Sequence, residues 1–283
     1  MGKTRNRIID LAASVLYAAF RKCFISEKFT SLYISDYEKE LPVAEAIKDG
    51  TTFRFHTPNP VTRWRVETLF EKEPETIEWI DSFDEGDVLY DAGANVGMYT
   101  IYAAAAGKAA RVIAFEPESA SYALLNRNIA LNGLDGKVTA LNAALSDTGK
   151  LDRLYLSGLG AGGAIHNFGE DVDLNKKKFS SAFRQGCLAF SLDEFIKRYA
   201  PPFPNHLKID VDGLEKEIVE GAAETLADPR LKTLLVEINE GLKEDLELAE
   251  DIKKRGFRLR CRKHAAMFDG GPYGKIYNYV FEK

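Results

Sequence analysis

The sequence predicts an α/β fold built around a mostly parallel sheet. From Asp87 onward, short apolar runs alternate with longer segments suited to helices, and this alternation is typical of parallel sheets with helical crossovers. The 283 residues are 45% hydrophobic and 29% charged, which is enough apolar material for one or two domains of roughly 150 residues each. Such a composition excludes disordered and low-complexity chains.

Five short apolar runs predict the parallel strands. In chain order they are Val88–Tyr90, Arg111–Phe115, Val138–Leu141, Leu207–Ile209 and Leu234–Ile238. Between the early strands, Tyr99–Ala106 and Ala120–Leu131 predict helices. The second helix stops at Asn132-Gly133, a sequence that commonly ends helices because glycine adopts the left-handed conformation there.

The last forty residues have a different pattern. Phe257–Arg260 alternates apolar and basic residues with a period of two, and Tyr277–Phe281 is another β-prone run beyond the turn at Gly270-Gly271-Pro272. We expect these two runs to form a hairpin that pairs antiparallel to the other strands. The result is a seven-stranded sheet with an antiparallel C-terminal hairpin.

Two segments fall outside this alternation. Residues 1–86 predict an accessory leader, largely helical with a short hairpin around Phe53–Phe55, ahead of a catalytic domain at residues 87–283. Residues 150–187 carry four glycines between positions 158 and 163 and predict a long irregular insertion. Connections of this length are commonly functional lids.

Charge and cysteine content limit the functional classes. The chain has 38 Lys and Arg against 43 Asp and Glu, a net charge of −5, which argues against a broad nucleic-acid footprint. Cys23, Cys187 and Cys261 are far apart and form no CxxC pair, which argues against a disulfide framework or a zinc site. These features favour a cytoplasmic protein that acts on a small molecule.

The first 28 residues predict an amphipathic helix over residues 8–20, because apolar residues recur there at helical spacing. Residues 1–28 hold six Lys or Arg and two acidic residues, a local charge of +4 that suits an anionic membrane surface. No apolar stretch approaches the ~20 residues of a membrane-spanning helix. The helix either contacts a membrane peripherally or packs on its own domain or on a second subunit.

The clearest site motif leads from a strand into a glycine-bearing loop, Asp-Val-Leu-Tyr-Asp-Ala-Gly-Ala-Asn-Val-Gly at residues 87–97. Gly93 allows a turn without a Cβ, and Gly97 allows helix and strand to approach closely. The following helix N-terminus offers free N–H groups to an anion. Asp91 stands where a dinucleotide loop has its first glycine, and a carboxylate there suits an amino or sulfonium group better than a pyrophosphate.

Two further segments fit a nucleotide cofactor. Glu116 ends the second strand, nineteen residues after Gly97, where a carboxylate can accept both ribose hydroxyls. This contact does not separate S-adenosylmethionine from NAD, because both carry the diol. Residues 141–147, Leu-Asn-Ala-Ala-Leu-Ser-Asp, follow the third strand with small residues and amides that would face an adenine ring.

The order of these segments resembles the class I S-adenosylmethionine-dependent methyltransferases. Residues 207–215, Leu-Lys-Ile-Asp-Val-Asp-Gly-Leu-Glu, are similar to the K-I-D-x-(D/E)-G-x-E signature of the FkbM methyltransferase family. Residues 124–132 and 191–193 also resemble that family, and the match covers about residues 68–260. The resemblance implies a Rossmann-like fold and methyl transfer to a hydroxyl oxygen of a carbohydrate or secondary metabolite.

Carried over by position, the resemblance assigns nine residues to the three parts of the cofactor. The methionine portion would be held by Asp91, Gly93, Asn95 and Gly97, the ribose by Glu116, and the adenine by Asn142, Ala143, Ala144 and Ser146. Asp210 also belongs to this set and lies nearest the transferring methyl group, because ligands of open α/β sheets bind at the carboxyl ends of the strands.

Methyl transfer to an alcohol requires a proton acceptor or a metal that acidifies the hydroxyl. The candidates are Asp210, Asp212 and Glu237, with Lys208 orienting the acceptor or balancing the carboxylates. Three converging carboxylates could also bind Mg²⁺, although spacing does not establish a metal site. Asp212 and Glu215 have a structural alternative, because Asp-x-x-Glu at a helix start forms a capping box.

Several alternatives stay open at this point. An NAD-dependent oxidoreductase shares the loop, the helix and the acidic ribose contact, and a non-catalytic adenosyl-binding or membrane-associated scaffold is a second possibility. His166 is a candidate base in the insertion, and residues 176–178, three lysines, either face solvent or bind a phosphate-bearing acceptor. In the leader, Trp and Arg of Arg63-Trp64-Arg65 can together stack on a sugar ring or a phosphate, whereas Trp79 can instead anchor the leader in the core. A homo-oligomer is possible.

Overall fold

The computed structural model describes Val15 and residues 41–283, apart from residues 107, 108, 165 and 272. The amphipathic helix and membrane contact predicted for residues 1–28 fall, Val15 aside, outside the described residues. Residues 43–283 form one compact unit, which therefore includes the second half of the predicted leader. Within the described part of the chain, no helix combines the length and the apolar character needed to cross a bilayer.

Thirteen strands and eight helices make up the described regular structure. The strands are β1 (Val43–Lys48), β2 (Thr51–His56), β3 (Asp87–Ala92), β4 (Ala109–Phe115), β5 (Val138–Leu141), β6 (Ala144–Leu145), β7 (Lys150–Leu156), β8 (His166–Phe168), β9 (Phe183–Phe190), β10 (His206–Ile209), β11 (Thr233–Asn239), β12 (Arg258–Lys263) and β13 (Ile276–Glu282). The helices are α1 (Pro60–Glu67), α2 (Pro74–Asp81), α3 (Met98–Ala105), α4 (Ser119–Leu131), α5 (Leu192–Tyr199), α6 (Glu215–Glu220), α7 (Ala223–Ala227) and α8 (Lys243–Lys254).

The central sheet has seven strands in the order β12-β13-β11-β10-β3-β4-β5. The strands from β11 to β5 are parallel, and β13 pairs antiparallel with both β11 and β12. The mostly parallel sheet with an antiparallel C-terminal hairpin is confirmed. The strand order reverses between β10 and β3, and open α/β sheets bind ligands at such a reversal.

Local sequence explains where the helices begin. Asn59 caps α1 through a capping box with Thr62, and Pro60 occupies the first turn, where its missing N–H costs nothing. Glu118 caps α4 by accepting hydrogen bonds from the backbone N–H groups of residues 120 and 121. Gly133 follows α4 with φ +64°, as the Asn-Gly sequence predicts. These caps therefore fix where α1 and α4 begin.

The insertion at residues 150–187 is not irregular, contrary to the expectation. β7, β8 and most of β9 lie within it and join β6 in a second sheet, in the order β6-β9-β7-β8. The physical reason is a small separate core in which Leu154, Leu156, Phe168 and Cys187 are buried. Only the glycine-rich turn and the segment around the three lysines remain without strands in this part of the chain.

Trp79 anchors the leader in the core. Its ring is 2% exposed and packs edge-on against Phe83, and its Nε1 donates a 2.7 Å hydrogen bond to the Thr233 hydroxyl. Burial of such a side chain contributes roughly 1.5–3 kcal/mol. Of the two alternatives for Trp79, core anchoring is therefore the one observed.

Asp87 fixes the tautomer of His206 at the amino end of the sheet. The Asp87 carboxylate, whose pKa is lowered, can only accept, so Nε2–H of His206 donates to it at 2.7 Å, and Nδ1 of the neutral ring accepts from the Thr233 hydroxyl at 2.7 Å. Lys232 also contacts Asp87, at 2.8 Å. Burial lowers the pKa of His206 to about 4 in spite of the opposing effect of Asp87. His206 is therefore a neutral structural side chain.

This arrangement predicts a pH dependence of stability. The folded-state pKa of His206 lies below the unfolded value of 6.5, so its contribution is complete above pH 6.5 and is lost as the pH falls toward 4. A shift of this size corresponds to roughly 3 kcal/mol. We expect the wild type to lose about that much more stability than His206→Gln between pH 7 and pH 4. Urea unfolding of both proteins measures this, and parallel pH profiles would contradict it.

Candidate active site

The carboxyl ends of β3 and β10 meet where the strand order reverses. The parallel register sets Asp91 beside Lys208 and Ala92 beside Ile209, and the loops after both strands leave the sheet at the same edge. This edge brings together Asp91, Gly93, Lys208 and Asp210, which the sequence placed in separate motifs.

Gly93 allows the two strand ends to touch. Its φ is +80°, and a Cβ placed on it would lie 1.8 Å from the carbonyl oxygen of Asp210. No side chain fits there, since the obstacle is backbone. Gly97 has φ +90°, and its Cβ would meet Leu125 of α4 at 2.5 Å. The close approach at Gly97 is therefore to helix α4 and not, as predicted, to a strand.

Lys208 is the buried cation of the site. Its Nζ lies 2.7 Å from an Asp210 oxygen and 3.9 Å from an Asp91 oxygen, and the residue is 1% exposed. Burial alone lowers the pKa of Lys208, but the negative charges of Asp210, Asp91 and Glu73 outweigh burial and raise it. Lys208 is thus charged and neutralises part of the surrounding acid, one of the two roles predicted for it.

Only one of the two carboxylate oxygens of Asp91 accepts a hydrogen bond from the described residues. Its Oδ2 accepts a 2.6 Å hydrogen bond from Thr100, whereas its Oδ1 accepts none from the described residues. Burial raises the pKa of Asp91, opposed mainly by Lys208. A buried carboxylate oxygen without a donor is costly unless a ligand supplies one. Asp91 therefore fits a ligand that carries an ammonium or another cationic group.

Two cavities flank the end of β10. The larger has a volume of about 210 Å³ and the smaller about 70 Å³, and both are bordered by Gly93, Asn95, Asp210 and Asp212. The smaller cavity is otherwise lined mainly by residues after β4, β5 and β7, among them Glu116, Ala143, Ala144 and His166. The larger is lined by the leader, α3, β11 and the C-terminal hairpin, among them Trp64, Arg65, Glu73, Tyr99, Glu237 and Tyr273.

Glu116 lies at the wall of the smaller cavity. It is 6% exposed, and its two oxygens accept hydrogen bonds from the backbone N–H groups of Asn95 and Glu118 at 2.7 and 2.8 Å. Burial raises the pKa of Glu116 to about 8, even though these two bonds oppose the shift. Glu116 therefore fixes the loop at Asn95 and is largely protonated at neutral pH.

The segment predicted to surround an adenine divides into two groups. Ala143 and Ala144 line the smaller cavity. Asn142 instead donates to the carbonyl oxygens of Glu116 and Pro117, and the fully buried Ser146 donates to Asp147. Neither Asn142 nor Ser146 is part of the cavity lining, so their side chains are placed to support the turn rather than to contact a ligand.

The loop after β10 does not form the capping box considered from the sequence. The N-cap position of helix α6 is occupied by Leu214, which makes no side-chain hydrogen bond to the helix, and Asp212 lies in the preceding loop with φ +61°. Glu215 turns back, and its Oε1 accepts from the backbone N–H groups of Val211 and Gly213 at 3.2 and 3.3 Å. Glu215 thus holds the loop, while Asp212 borders both cavities.

Glu237 lines the larger cavity from β11, as expected from its place in the last parallel strand. Burial, followed by the charges of Asp210 and Asp212, raises its pKa well above the ordinary value. Glu237 is therefore protonated more readily than an ordinary glutamate. Among the described residues, no group of three or more His, Cys, Asp or Glu side chains is arranged to hold a metal ion, so the three carboxylates do not form the Mg²⁺ site considered from the sequence.

Sequence reasoning missed Glu73 as a residue of the site. Glu73 is 5% exposed, pairs with Lys72 and accepts a hydrogen bond from Tyr99. Burial raises the pKa of Glu73, but Lys72 and Lys208 outweigh it and hold the pKa at about 2. The Glu73-Pro74 helix start was visible in the sequence, but nothing local indicated that Glu73 would face Lys208.

A glycine-rich turn separates the mouths of the two cavities. Four hydrogen bonds hold this turn. Three side chains donate to its carbonyl oxygens: Asn59 to residue 161 at 2.9 Å, Arg65 to Gly162 at 2.9 Å and Asn95 to Gly163 at 2.8 Å. The backbone N–H of Gly162 donates to the Ser121 hydroxyl at 3.1 Å. Gly163 borders the smaller cavity and residue 164 the larger. The turn therefore contributes to the lining of both cavities.

Two remaining candidates have defined positions. His166 lines the smaller cavity, and its Nδ1 accepts a 3.3 Å hydrogen bond from the backbone N–H of Ser157. Lys176 donates to the carbonyl of Gly213 at 2.8 Å, while the other two lysines of the run are exposed. The three lysines thus mostly face solvent.

Residues 91–259, more than half of the chain, match the family model described as the methyltransferase FkbM domain. The hexuronic acid methyltransferase AglP of Haloferax volcanii is 26% identical over 193 residues, which cover 68% of this chain and 73% of AglP. The methyltransferase sdnD of Sordaria araneosa is 29% identical over 161 residues, which cover 48% of this chain and 60% of sdnD.

A third curated relative is the 31-O-demethyl-FK506 methyltransferase FkbM of Streptomyces tacrolimicus, 27% identical over 176 residues that cover 55% of this chain and 66% of the relative. The chain thus spans about 60 to 73% of the length of these three relatives. Among solved structures, a methyltransferase FkbM from Methylobacillus flagellatus is 16% identical with a TM-score of 0.47, covering 71% of this chain and 44% of that one.

The contact at Gly93 gives a direct test of the strand-end geometry. Gly93→Ala places a methyl group on the Asp210 carbonyl, whereas Gly86→Ala, at φ +96°, meets no atom within 4 Å. Both substitutions pay about 1–2 kcal/mol for the left-handed conformation. We expect Gly93→Ala to cost at least about 3 kcal/mol more than Gly86→Ala in urea unfolding. Equal losses would mean that the strand ends can move apart freely.

Proposed function

The chain belongs to the FkbM methyltransferase family, and on that premise we propose that it transfers a methyl group from S-adenosylmethionine to a hydroxyl oxygen of a carbohydrate or secondary-metabolite acceptor. The observation that carries the proposal is the pair of cavities that meet at Gly93, Asn95, Asp210 and Asp212. Methyl transfer requires two ligands with their reacting atoms in contact, and this boundary is where two ligands can touch.

The smaller cavity suits the adenosyl side. Glu116 can accept ribose hydroxyls when ionised, and Ala143 and Ala144 offer an apolar wall for an adenine. Asp91, with its available oxygen, suits the amino group at the other end of the molecule. When bound, S-adenosylmethionine supplies an electrophilic methyl group on a positively charged sulfur. The carboxylates of Asp210 and Asp212 at the boundary complement that charge.

The larger cavity suits the acceptor. Trp64, 38% exposed at its wall, offers an aromatic face for a sugar ring, the stacking role considered for this residue. The similarity to AglP, a hexuronic acid methyltransferase, favours a carbohydrate acceptor. Tyr99, Tyr273 and the turn at residues 161–164 enclose the space and reduce its contact with water.

Proton handling is assigned to Asp210 and Glu237. Lys208 orients Asp210 through a contact at 2.7 Å, so the Asp210 carboxylate can accept the proton of the acceptor hydroxyl as that oxygen attacks. Glu237, whose pKa is raised by burial, can donate a hydrogen bond to the acceptor when it holds its proton. Asp212 contributes charge at the boundary. Lys208 acts through Asp210 and Asp91 and has no direct part in the transfer.

Family membership argues against the NAD-dependent oxidoreductase that the sequence left open. The buried charge of Asp91 points the same way, because a carboxylate at this strand end repels a pyrophosphate. The non-catalytic scaffold is the remaining alternative, and measurement of turnover separates it from the proposed enzyme.

The first test combines binding with turnover. We expect titration calorimetry to detect micromolar binding of S-adenosylmethionine and S-adenosylhomocysteine, and none of NAD. Asp210→Asn should keep S-adenosylhomocysteine binding within about threefold and lose roughly 10²-fold or more in methyl transfer, the range for a positioned general base. Transfer of a labelled methyl group to a panel of sugars and uronic acids measures turnover. Normal turnover by Asp210→Asn would contradict its assignment as the base.

A second test uses the pKa of Glu116. Because ribose hydroxyls bind the carboxylate and this group has a pKa of about 8, affinity for an adenosyl ligand should rise with pH, by about tenfold between pH 7 and pH 9. The probe is 5′-methylthioadenosine, which lacks the amino acid portion and its titrating amino group. We expect Glu116→Gln to bind it more weakly and without this pH dependence. A flat profile in the wild type would remove the ribose role of Glu116.

A further inference from the structure

Arg65 is a half-buried cation without a counter-ion at the wall of the larger cavity. Its Nε donates to the carbonyl of Gly162 at 2.9 Å, and the described residues place no carboxylate within ion-pair distance of its guanidinium. Arg63, on the same helix, is paired with Glu67 at 2.9 Å and lies outside the cavity. Of these two arginines, the one that faces the ligand space is the one that lacks a partner.

The neighbouring charges do not neutralise Arg65. Lys72 also lines the larger cavity, and its own partner Glu73 is shared with Tyr99 and Lys208. Burial and the positive charge of Arg65 each act to lower the pKa of Lys72, which means that the two cations are close enough to repel each other. The negative charges of Glu73 and Asp210 outweigh both effects, so the pKa of Lys72 is raised overall. Lys72 is thus paired with Glu73, whereas Arg65 has no carboxylate partner among the described residues.

Arg65 lies on the acceptor side of the boundary. Asp210 and Asp212 border both cavities, whereas Trp64, Arg65 and Lys72 border only the larger one, together with Glu73 and Glu237. An acceptor whose hydroxyl reaches the boundary therefore occupies the cavity that Arg65 lines. Trp64, beside Arg65 in the chain, offers a partly exposed ring to the same space.

We propose that Arg65 binds an acidic substituent of the methyl acceptor, a carboxylate or a phosphate. The proposal rests on the proposed function, because it takes the larger cavity as the acceptor side. A guanidinium presents parallel N–H donors that match both groups, and desolvation of the half-buried cation is offset when such a group binds. The acceptor class is thus an acidic sugar or sugar phosphate rather than a neutral sugar.

The test compares matched probes in the full-length protein saturated with S-adenosylhomocysteine. The probes are D-glucuronate, D-glucose 6-phosphate and D-glucose, with dissociation constants from titration calorimetry. We expect the wild type to bind at least one acidic sugar at least tenfold more tightly than glucose. Arg65→Gln should reduce this preference to within about twofold and leave glucose binding unchanged. The two acidic probes distinguish a carboxylate from a phosphate as the group recognised.

Two control variants separate charge from structure. Arg63→Gln removes a cation from the same helix outside the cavity and should keep the preference. Asn59→Asp still caps α1 but loses the amide N–H that holds the turn at residue 161, so it reports the effect of loosening that turn alone. It should also keep the preference.

The proposal is overturned if the wild type shows no preference, if Arg65→Gln retains it, or if Asn59→Asp loses it to the same extent as Arg65→Gln. Failure of S-adenosylhomocysteine to bind is measured beforehand in the same protein. That result would contradict the proposed function instead, so the two failures remain distinguishable.

Discussion

The ammonium group of Lys208 lies 2.7 Å from Asp210 and 3.9 Å from Asp91, in a side chain that has lost nearly all contact with water. Removing a charge from water is costly, and here the cost is offset by carboxylates from β3, β10 and the leader. The strand register and the close contact at Gly93 bring those groups within reach. Sheet geometry and site electrostatics are thus one constraint, because neither strand end can shift without exposing an unbalanced buried charge.

The sequence predicted the central sheet because its strands are short, mostly apolar and largely separated by helices. Leu207–Ile209 and Leu234–Ile238 match β10 and β11 to within one residue at each end. The second sheet was not predicted, since β7 is mostly exposed, with only Leu154 and Leu156 buried, and its glycine-rich neighbour resembles a loop. Such strands are fixed by pairing with distant residues, which period and composition do not reveal.

The site was predictable where it follows strand ends and unpredictable where tertiary packing supplies it. Asp91, Glu116 and Asp210 lie at the predicted edge because topology alone puts them there. Glu73 reaches the cavity from the leader, and no motif encodes that approach. The capping box was expected from Asp-x-x-Glu, but the left-handed conformation at Asp212 delays the helix start to Leu214.

The shared border of the two cavities also has a thermodynamic consequence. A ligand on either side faces Asp210 and Asp212, so its charge changes the free energy of whatever binds on the other side, and this coupling is reciprocal. Under the proposed reaction, the sulfur is positive before transfer and neutral afterwards. Asp210 takes up the acceptor proton in the same step, so the net charge at the boundary stays constant until that proton leaves the site.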